Sequence, residues 1–280
     1  MPIREADISV RGNTAYDGAG VKLQRIFGHA EASRFDPFLL LDAFGSDDPN
    51  DYLPGFPMHP HRGMETVTYL IEGSVRHGDS LGNGGTIGPG DLQWMNAGSG
   101  IIHEEMPIRS PHGVHGLQLW VNLPKREKMR DPAYRGVTAG EVPIVPTGSG
   151  SVRVLAGEWG GARGPIIGVA RAPVYLDVEL DADAAISFEA PRDRTAFFYI
   201  LRGTVGTGSD AAGAHGAGVC ILLGHGDEAS FLAGPEGARF VFVHAPPIGE
   251  PIAWGGPIVM NTREELELAF RELEDGSFIK

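Results

Sequence analysis

Two short segments carry the side chains of this chain that are best suited to hold a metal ion. The first places His59 and His61 on either side of a proline, with Glu65 four residues further on, and the second contains His103 and Glu105. Clustered imidazole and carboxylate groups are costly to bury without a metal or a partner, and together they suit a divalent first-row metal. The pattern therefore predicts a metal site.

The first segment is expected to run into a β-strand. The residues that follow it are β-branched and aromatic and end at a glycine, which is typical of a strand. Successive side chains on a strand point to opposite faces, so His59, His61 and Glu65 share one face if a single regular strand carries them. Two strands that cross a barrel interior would then bring these groups together with the second segment.

The carboxylate of the site is not decided by this pattern. His103 and Glu105 face together on a regular strand, whereas Glu104 points away. Glu65 could bind the metal in place of Glu105, or it could accept a hydrogen bond from a ligand histidine. Gln118 lies in a stretch of period-two alternation and could look into the same cavity. We therefore expect three histidine ligands and more than one carboxylate candidate.

Composition frames the fold and excludes some functions. The 280 residues include 41 Gly and 21 Pro spread among short apolar runs, which indicates many strands joined by tight turns. The formal net charge of −13 argues against direct binding to nucleic acid or to an anionic membrane. Cys220 is the single cysteine, so no intrachain disulfide can form and a buried structural thiol is expected. With no apolar run long enough to span a bilayer, we expect a cytoplasmic protein.

The second half of the chain repeats features of the first. Residues 199–205 resemble residues 69–75 in type and order, which suggests an internal duplication. We predict an all-β protein with a metal-binding barrel at 1–147 and a second barrel at 148–280. The second copy has no His-x-His segment and should be free of metal. A capping box followed by apolar residues at helical spacing predicts one helix at about 262–274.

Several segments together resemble the pirin family of the cupin superfamily. These segments are residues 35–42, 59–63, 90–95, 100–107 and 256–262. The resemblance implies a bicupin, with two tandem cupin barrels of the double-stranded β-helix or jelly-roll type. It also implies iron in the N-terminal barrel, held at the positions of His59, His61, His103 and Glu105. On this basis Glu105 is preferred over Glu65 as the carboxylate ligand.

Two charged neighbours of these motifs raise further expectations. Glu104 stands where the family commonly has a small residue, so a bulge at this point would let Glu104 compete for the metal. Arg62 is next to the site in sequence and could steer an anionic substrate. By strand parity it points away from His61, so we predict a surface salt bridge for Arg62.

The resemblance also implies a function. Some members have flavonol (quercetin) 2,3-dioxygenase activity, in which a flavonol-like molecule and dioxygen react at the metal and Glu105 doubles as general base. Fe(II) is the implied metal, and Mn, Co, Ni, Cu and Zn are alternatives for the same donor set. The rival prediction is an iron-dependent, redox-sensitive regulatory protein that binds transcriptional or metabolic protein partners without turnover.

Overall fold

The structure is a computed structural model. It describes the backbone of residues 1–208 and 210–280 and the side chains of residues 1–208 and 214–280. The chain is 56% strand and 10% helix, so the all-β prediction is confirmed. The predicted terminal helix is confirmed as well. Within the described residues, every helix is too short or too polar to cross a membrane.

The secondary structure follows the turn-punctuated sequence. In chain order the strands are β1 (Ala6–Arg11), β2 (Asn13–Asp17), β3 (Val21–Phe27), β4 (Phe38–Ser46), β5 (Phe56–His61), β6 (Met64–Glu72), β7 (Ser74–Asp79), β8 (Gly84–Ile87), β9 (Leu92–Asn96), β10 (Ile101–Ile108), β11 (Val114–Asn122), β12 (Ala133–Val137), β13 (Ile144–Thr147), β14 (Gly150–Ala156), β15 (Glu158–Trp159), β16 (Ala162–Arg163), β17 (Val174–Leu180), β18 (Ala185–Glu189), β19 (Thr195–Thr207), β20 (Asp210–Gly216), β21 (Val219–Leu223), β22 (Glu228–Ala245), β23 (Ala253–Gly255) and β24 (Ile258–Met260). The α-helices are α1 (Ala32–Phe35), α2 (Pro49–Tyr52) and α3 (Arg263–Asp275), and single 3₁₀ turns lie at Lys125–Glu127 and Ala139–Glu141.

The chain forms two compact units. One unit, which we call the histidine unit, consists of Asn13–Ala139 and Ile248–Lys280. The other, which we call the second unit, consists of Met1–Gly12 and Gly140–Pro247. Each unit is therefore built from two separate stretches of the chain.

The terminal segments differ from the predicted domains 1–147 and 148–280. Strand β1 pairs with β21, where Val10 lies opposite the buried Cys220, so the N-terminal segment belongs to the second unit. Helix α3 packs its Ala269 against Ile258 of β24, so the C-terminal segment belongs to the histidine unit. The prediction assigned each terminus to the nearer half of the sequence. Strand pairing and apolar packing join residues that are far apart in sequence, and here they place each terminus in the unit formed mainly by the other half.

The histidine unit contains two facing β-sheets. One sheet has seven strands in the order β12-β9-β6-β11-β4-β3-β2, and the other has four in the order β5-β10-β7-β8. Thr68 on the larger sheet donates a hydrogen bond to Glu105 on the smaller one, over 2.8 Å, so the inner faces meet at this point. Leu70, Val75 and Val114 are part of the apolar core between them. His61, His103 and Glu105 are thus buried within the unit, whereas His59 is half-buried.

The second unit is formed by a sheet in the order β1-β21-β19-β22-β17-β14-β13, with β18 beside β22 and β20 beside β19. Five phenylalanine rings fill its core: Phe188, Phe198, Phe231, Phe240 and Phe242. Contacting pairs among these rings have centroids 4.8 to 5.9 Å apart. Aromatic packing of this kind stabilises the unit through apolar burial.

Candidate metal centre

Three imidazoles converge where β5 and β10 pair. The strands are antiparallel, with His59 opposite His103 and His61 opposite Ile101. Directly opposed and diagonal cross-strand side chains lie on one face and within reach of each other. One ring nitrogen of each of these histidines lies within 4.8 Å of the corresponding nitrogens of the other two. Such a cluster can present three nitrogen donors to one ion.

Backbone carbonyls orient two of the three rings. Nδ1 of His59 lies 2.9 Å from the carbonyl oxygen of Pro57, and Nδ1 of His61 lies 3.2 Å from that of Pro257. A carbonyl can only accept, so each Nδ1 carries the proton and each Nε2 keeps its lone pair. This arrangement of the outer nitrogen is the usual one for a metal-binding histidine.

His103 lacks the partner that a buried polar group requires. Its side chain is 1% exposed, and within the described part of the chain neither ring nitrogen has a hydrogen-bond partner. Burial, followed by the neighbouring imidazoles, lowers the pKa of His103 and of His61 well below the usual value, so both rings are neutral at pH 7. A neutral, buried and unpartnered imidazole is costly alone and favourable as a metal ligand. The residues present fit a metal ion.

Glu105 lies beside this cluster without being part of it. Its Oε1 accepts a hydrogen bond from Thr68 Oγ1 and its Oε2 accepts one from Gln118 Nε2, each at 2.8 Å. The indole of Trp120 in turn donates to Gln118 Oε1 over 3.2 Å. The carboxylate is therefore held in one position, with His103 two residues away on the same strand.

Glu104 faces the other side of β10. Its carboxylate lies 3.7 Å from the guanidinium of Arg76 and is partly exposed. The pairing of β5 with β10 is irregular here. His59 pairs with His103, but Phe56, three residues before His59, pairs with Glu105, which is only two residues after His103. The extra residue is on β5, whereas the pairing of β10 with β7 is continuous. The alternation of β10 is kept, and the structure does not bring Glu104 to the histidines.

Glu65 is not brought to the cluster either. The chain turns at Gly63, whose φ of 77° is in the left-handed region, and β5 and β6 then belong to different sheets. The condition under which Glu65 would share a face with His61, a single regular strand through both, is therefore not met. Glu65 has the opposite strand parity to Thr68 and accepts a hydrogen bond from Asn96 over 2.9 Å. It thus lies on the face of β6 away from Glu105.

Arg62 is buried, so the predicted surface salt bridge is wrong. Its guanidinium forms an ion pair with Glu272 at 2.6 Å and donates to the carbonyl of Phe278 over 2.8 Å. The Phe278 ring lies 4.1 Å from the guanidinium carbon. The salt bridge exists, but the C-terminal segment covers it. No sequence pattern close to Arg62 indicates that the C-terminal segment buries it.

Lys128 is a further buried cation near the site that sequence reasoning missed. Its ammonium donates to the carbonyl of Gly63 at 2.7 Å, to Asn122 Oδ1 at 2.6 Å and to the carbonyl of Val259 at 2.9 Å. These bonds tie the turn after His61 to strand β24. The local sequence is charged and contains proline, which indicates an exposed connection and gave no signal of burial.

A cavity of about 640 Å³ opens beside the histidines. His59, His61 and Gln118 form part of its polar wall, and Trp120 and Trp254 form part of its aromatic wall. The Trp120 ring stands at 86° to the His61 ring, with centroids 5.1 Å apart. A cavity of this size, largely apolar with a few convergent polar groups, is typical of a site for a small organic molecule.

The histidine unit has facing β-sheets around a histidine cluster, and the described residues of the second β unit contain no such cluster. These features define a two-domain cupin protein. Family comparisons agree, since residues 20–121 match pirin and residues 175–279 match the pirin C-terminal cupin domain. The chain belongs to the pirin family.

Known proteins resemble the chain over nearly its whole length. A pirin-like protein of Caulobacter vibrioides is 44% identical, over 99% of this chain and 100% of its own. The crystal structure of quercetin 2,3-dioxygenase from Acinetobacter baumannii has a TM-score of 0.89 and 32% identity, covering 99% of this chain and 100% of its own. A bacterial pirin from Escherichia coli in complex with nickel(II) shares the fold, with a TM-score of 0.67, 20% identity and coverage of 86% of this chain and 99% of its own.

Proposed function

We propose that this chain is a metal-dependent dioxygenase of the quercetin 2,3-dioxygenase type, with a single iron ion in the histidine unit. The observation that carries the proposal is a cavity of about 640 Å³ that is lined by Trp120, Trp254 and two members of the three-histidine cluster, His59 and His61. The resemblance to the Acinetobacter baumannii quercetin 2,3-dioxygenase supports it. Flavonol-like molecules and dioxygen would be the reactants.

The proposed ligands are His59, His61, His103 and Glu105. Three neutral imidazoles and one carboxylate suit Fe(II), and Mn, Co, Ni, Cu and Zn are alternatives that the donor set also accepts. The nickel(II) complex of the Escherichia coli pirin supports a divalent ion in this fold. When bound, the ion would supply Lewis acidity and a path for electrons between substrate and dioxygen.

Glu105 is the proposed general base for the substrate hydroxyl. Each carboxylate oxygen has two lone pairs, so Glu105 can keep its bonds from Thr68 and Gln118 and still accept a proton. Those two donors fix the carboxylate in orientation before substrate arrives. Positioning of this kind lowers the cost of reaching the reactive geometry.

Trp120 and Trp254 are proposed to hold the planar part of the substrate. Their ring centroids are 6.0 Å apart and both line the cavity. Aromatic side chains bind flat aromatic ligands through apolar area and ring contacts, and they exclude water from the bound face. The His61 ring lies next to Trp120, with centroids 5.1 Å apart, so a flavonol held by the tryptophans would meet the histidines with one edge.

Oxygen consumption tests the proposed function. Purified protein is stripped of metal, loaded with Fe(II) without air, and mixed with quercetin in aerated buffer. We expect quercetin absorbance to fall in step with oxygen uptake. The stripped protein should neither consume oxygen nor change the quercetin absorbance. If protein loaded in turn with Fe(II), Mn, Co, Ni, Cu and Zn leaves quercetin unchanged, the dioxygenase assignment fails.

Glu105→Gln is expected to lower kcat for quercetin by about 100-fold or more. The substitution removes the proposed base and weakens a metal ligand, and loss of general-base catalysis alone costs roughly 10²–10⁴-fold. Glu104→Gln is the matched control, because this neighbour pairs with Arg76 on the other face of β10. Its kcat should stay within about twofold of wild type. Equal losses in both variants would mean that the carboxylate has been assigned wrongly.

A further inference from the structure

A row of polar side chains crosses the larger sheet on the face that lines the cavity. Arg25 on β3 is the cross-strand partner of Asp42 on β4, Asp42 is the partner of Gln118 on β11, and Gln118 is the partner of Thr68 on β6. Cross-strand partners project from the same face of a sheet. The row therefore runs without interruption from Arg25 to the pair of residues that hold Glu105.

The outer end of the row is a clamped carboxylate. Arg25 donates from Nε to Asp42 Oδ1 at 3.0 Å and from Nη2 to Asp42 Oδ2 at 2.8 Å. Its Nη2 also lies 2.8 Å from Asp17 Oδ2. The Asp42 side chain is 6% exposed, and all three residues line the cavity. The fork of Arg25 fixes both Asp42 oxygens, and each oxygen keeps a lone pair for another donor.

The spacing of this group from the metal site fits a ligand of several rings. Neighbouring strands lie about 4.8 Å apart, so along the sheet Asp42 lies one strand, about 5 Å, from Gln118 and Arg25 lies two strands, roughly 10 Å, from it. Gln118 contacts Glu105, which is two residues from His103. A planar molecule of three rings that meets the histidines with one edge would thus extend across the cavity toward Asp42 and Arg25, which line it together with His59 and His61.

The net charge around Arg25 and Asp42 determines which kind of ligand group can bind next to them. One guanidinium faces two carboxylates, those of Asp17 and Asp42, so the local sum is negative. A carboxylate on the ligand would be repelled, whereas a neutral hydroxyl can donate to Asp42. Burial raises the pKa of Asp42 to about 6, and above that pH the group is an acceptor.

We propose that Arg25 and Asp42 form a second recognition point of the cavity, which binds a hydroxyl group on the ring remote from the histidines. They would select neutral polyhydroxylated aromatic substrates over aromatic carboxylates. This inference rests on the proposed function for the orientation of the substrate. Asp42 is the acceptor, and Arg25 positions it.

Ligand binding without turnover tests this proposal. Iron-loaded protein is titrated in the absence of dioxygen with quercetin and with 3-hydroxyflavone, which keeps the metal-binding edge but lacks the remote hydroxyls. Quenching of tryptophan fluorescence reports binding, since Trp120 and Trp254 line the cavity. Wild type should bind quercetin at least about 10-fold more tightly than 3-hydroxyflavone, as expected for a hydrogen bond to a charged acceptor.

A paired replacement keeps the test independent of folding. Removing one member of a buried ion pair is strongly destabilising, whereas replacing both by apolar residues is often tolerated. In Arg25→Met/Asp42→Leu the ratio of the two affinities should fall to about 1. A 3-hydroxyflavone that carries a carboxylate on the remote ring should bind wild type more weakly than 3-hydroxyflavone, and this penalty should disappear in the paired variant. The control is Lys22→Met. Lys22 is on the same strand as Arg25, but it pairs with Asp51 outside the cavity lining. This variant should keep the preference for quercetin and the penalty for the carboxylate.

The outcomes separate the two proposals. If the paired variant keeps the wild-type preference for quercetin, Arg25 and Asp42 do not recognise the remote ring, whatever the turnover. If the preference is lost in the paired variant and kept in the control, the recognition point stands. That result would hold even where the dioxygenase assay shows no oxygen uptake and the proposed function has failed.

Discussion

Replacing His103 with alanine is expected to abolish stable metal retention. His103 lies directly opposite His59 and brings two buried nitrogens with no hydrogen-bond partner among the described residues, so a metal is the group that would satisfy it. Loss of an outer-shell partner of a ligand costs 10- to 100-fold in metal affinity, and loss of a ligand itself should cost more than about 100-fold. Metal analysis after dialysis should find about one equivalent in wild type and almost none in His103→Ala.

Thermal unfolding adds an independent readout for this variant. A metal that binds only the folded state raises its stability in proportion to the logarithm of metal concentration over Kd. Added Fe(II) should therefore raise the Tm of wild type and leave that of His103→Ala unchanged. His244→Ala, which removes a buried histidine of the second unit, should still retain metal. One equivalent bound to His103→Ala at wild-type affinity would refute the proposed ligand set.

Lys128→Met is expected to destabilise the histidine unit by about 3 kcal/mol or more. The substitution keeps the length of the side chain and removes the donor for three oxygens, those of Gly63, Asn122 and Val259. A buried acceptor left without a partner costs about 1–3 kcal/mol, and these losses are not fully additive. The free energy of unfolding from urea denaturation measures the effect. The control is Lys125→Met. The Lys125 side chain is 60% exposed and pairs with Glu265, so this substitution should change the free energy of unfolding by less than about 1 kcal/mol.

The effect of Lys128 should depend on pH. Burial lowers the pKa of Lys128 from 10.5 to about 7. The unfolded state then holds more protons than the folded state between these two values, so the contribution of Lys128 to stability increases as pH rises through this window. The difference in free energy of unfolding between wild type and Lys128→Met should thus be larger at pH 9 than at pH 7. A constant difference would mean that the burial of Lys128 does not perturb its proton affinity.

Much of the fold and part of the site follow from local sequence rules. Glycine turns and β-branched runs predict the strands, and the capping box at Thr262 predicts helix α3 to within one residue of its observed ends. Strand parity also places Glu104 and Glu105 on opposite faces of β10. These features depend on neighbours in sequence, and period-two alternation reports them directly.

Local sequence rules cannot predict the contacts that form between segments far apart in the chain. Strand parity puts Glu65 on the face of His61 only if one regular strand carries both, and a turn at Gly63 sends the chain into the other sheet. The carbonyl of Pro257 orients His61, and no pattern around His61 reveals it. Arg62 and Lys128 have the sequence context of surface residues, and their burial depends on segments far along the chain. Sequence reasoning finds the donors of a site more easily than the contacts that hold them.

The exchange of terminal segments between the two units has a consequence for biosynthesis. The histidine unit starts at Asn13 but is completed only by Ile248–Lys280, which supplies the carbonyls of Pro257 and Val259. During synthesis the strands β5 and β10, which carry the proposed ligands, therefore emerge well before the segment that completes their unit. An N-terminal fragment that stops at residue 147 would carry every proposed ligand and still lack the carbonyl that orients His61. Orientation of His61 by the carbonyl of Pro257 is thus possible only after the segment Ile248–Lys280 has been synthesised.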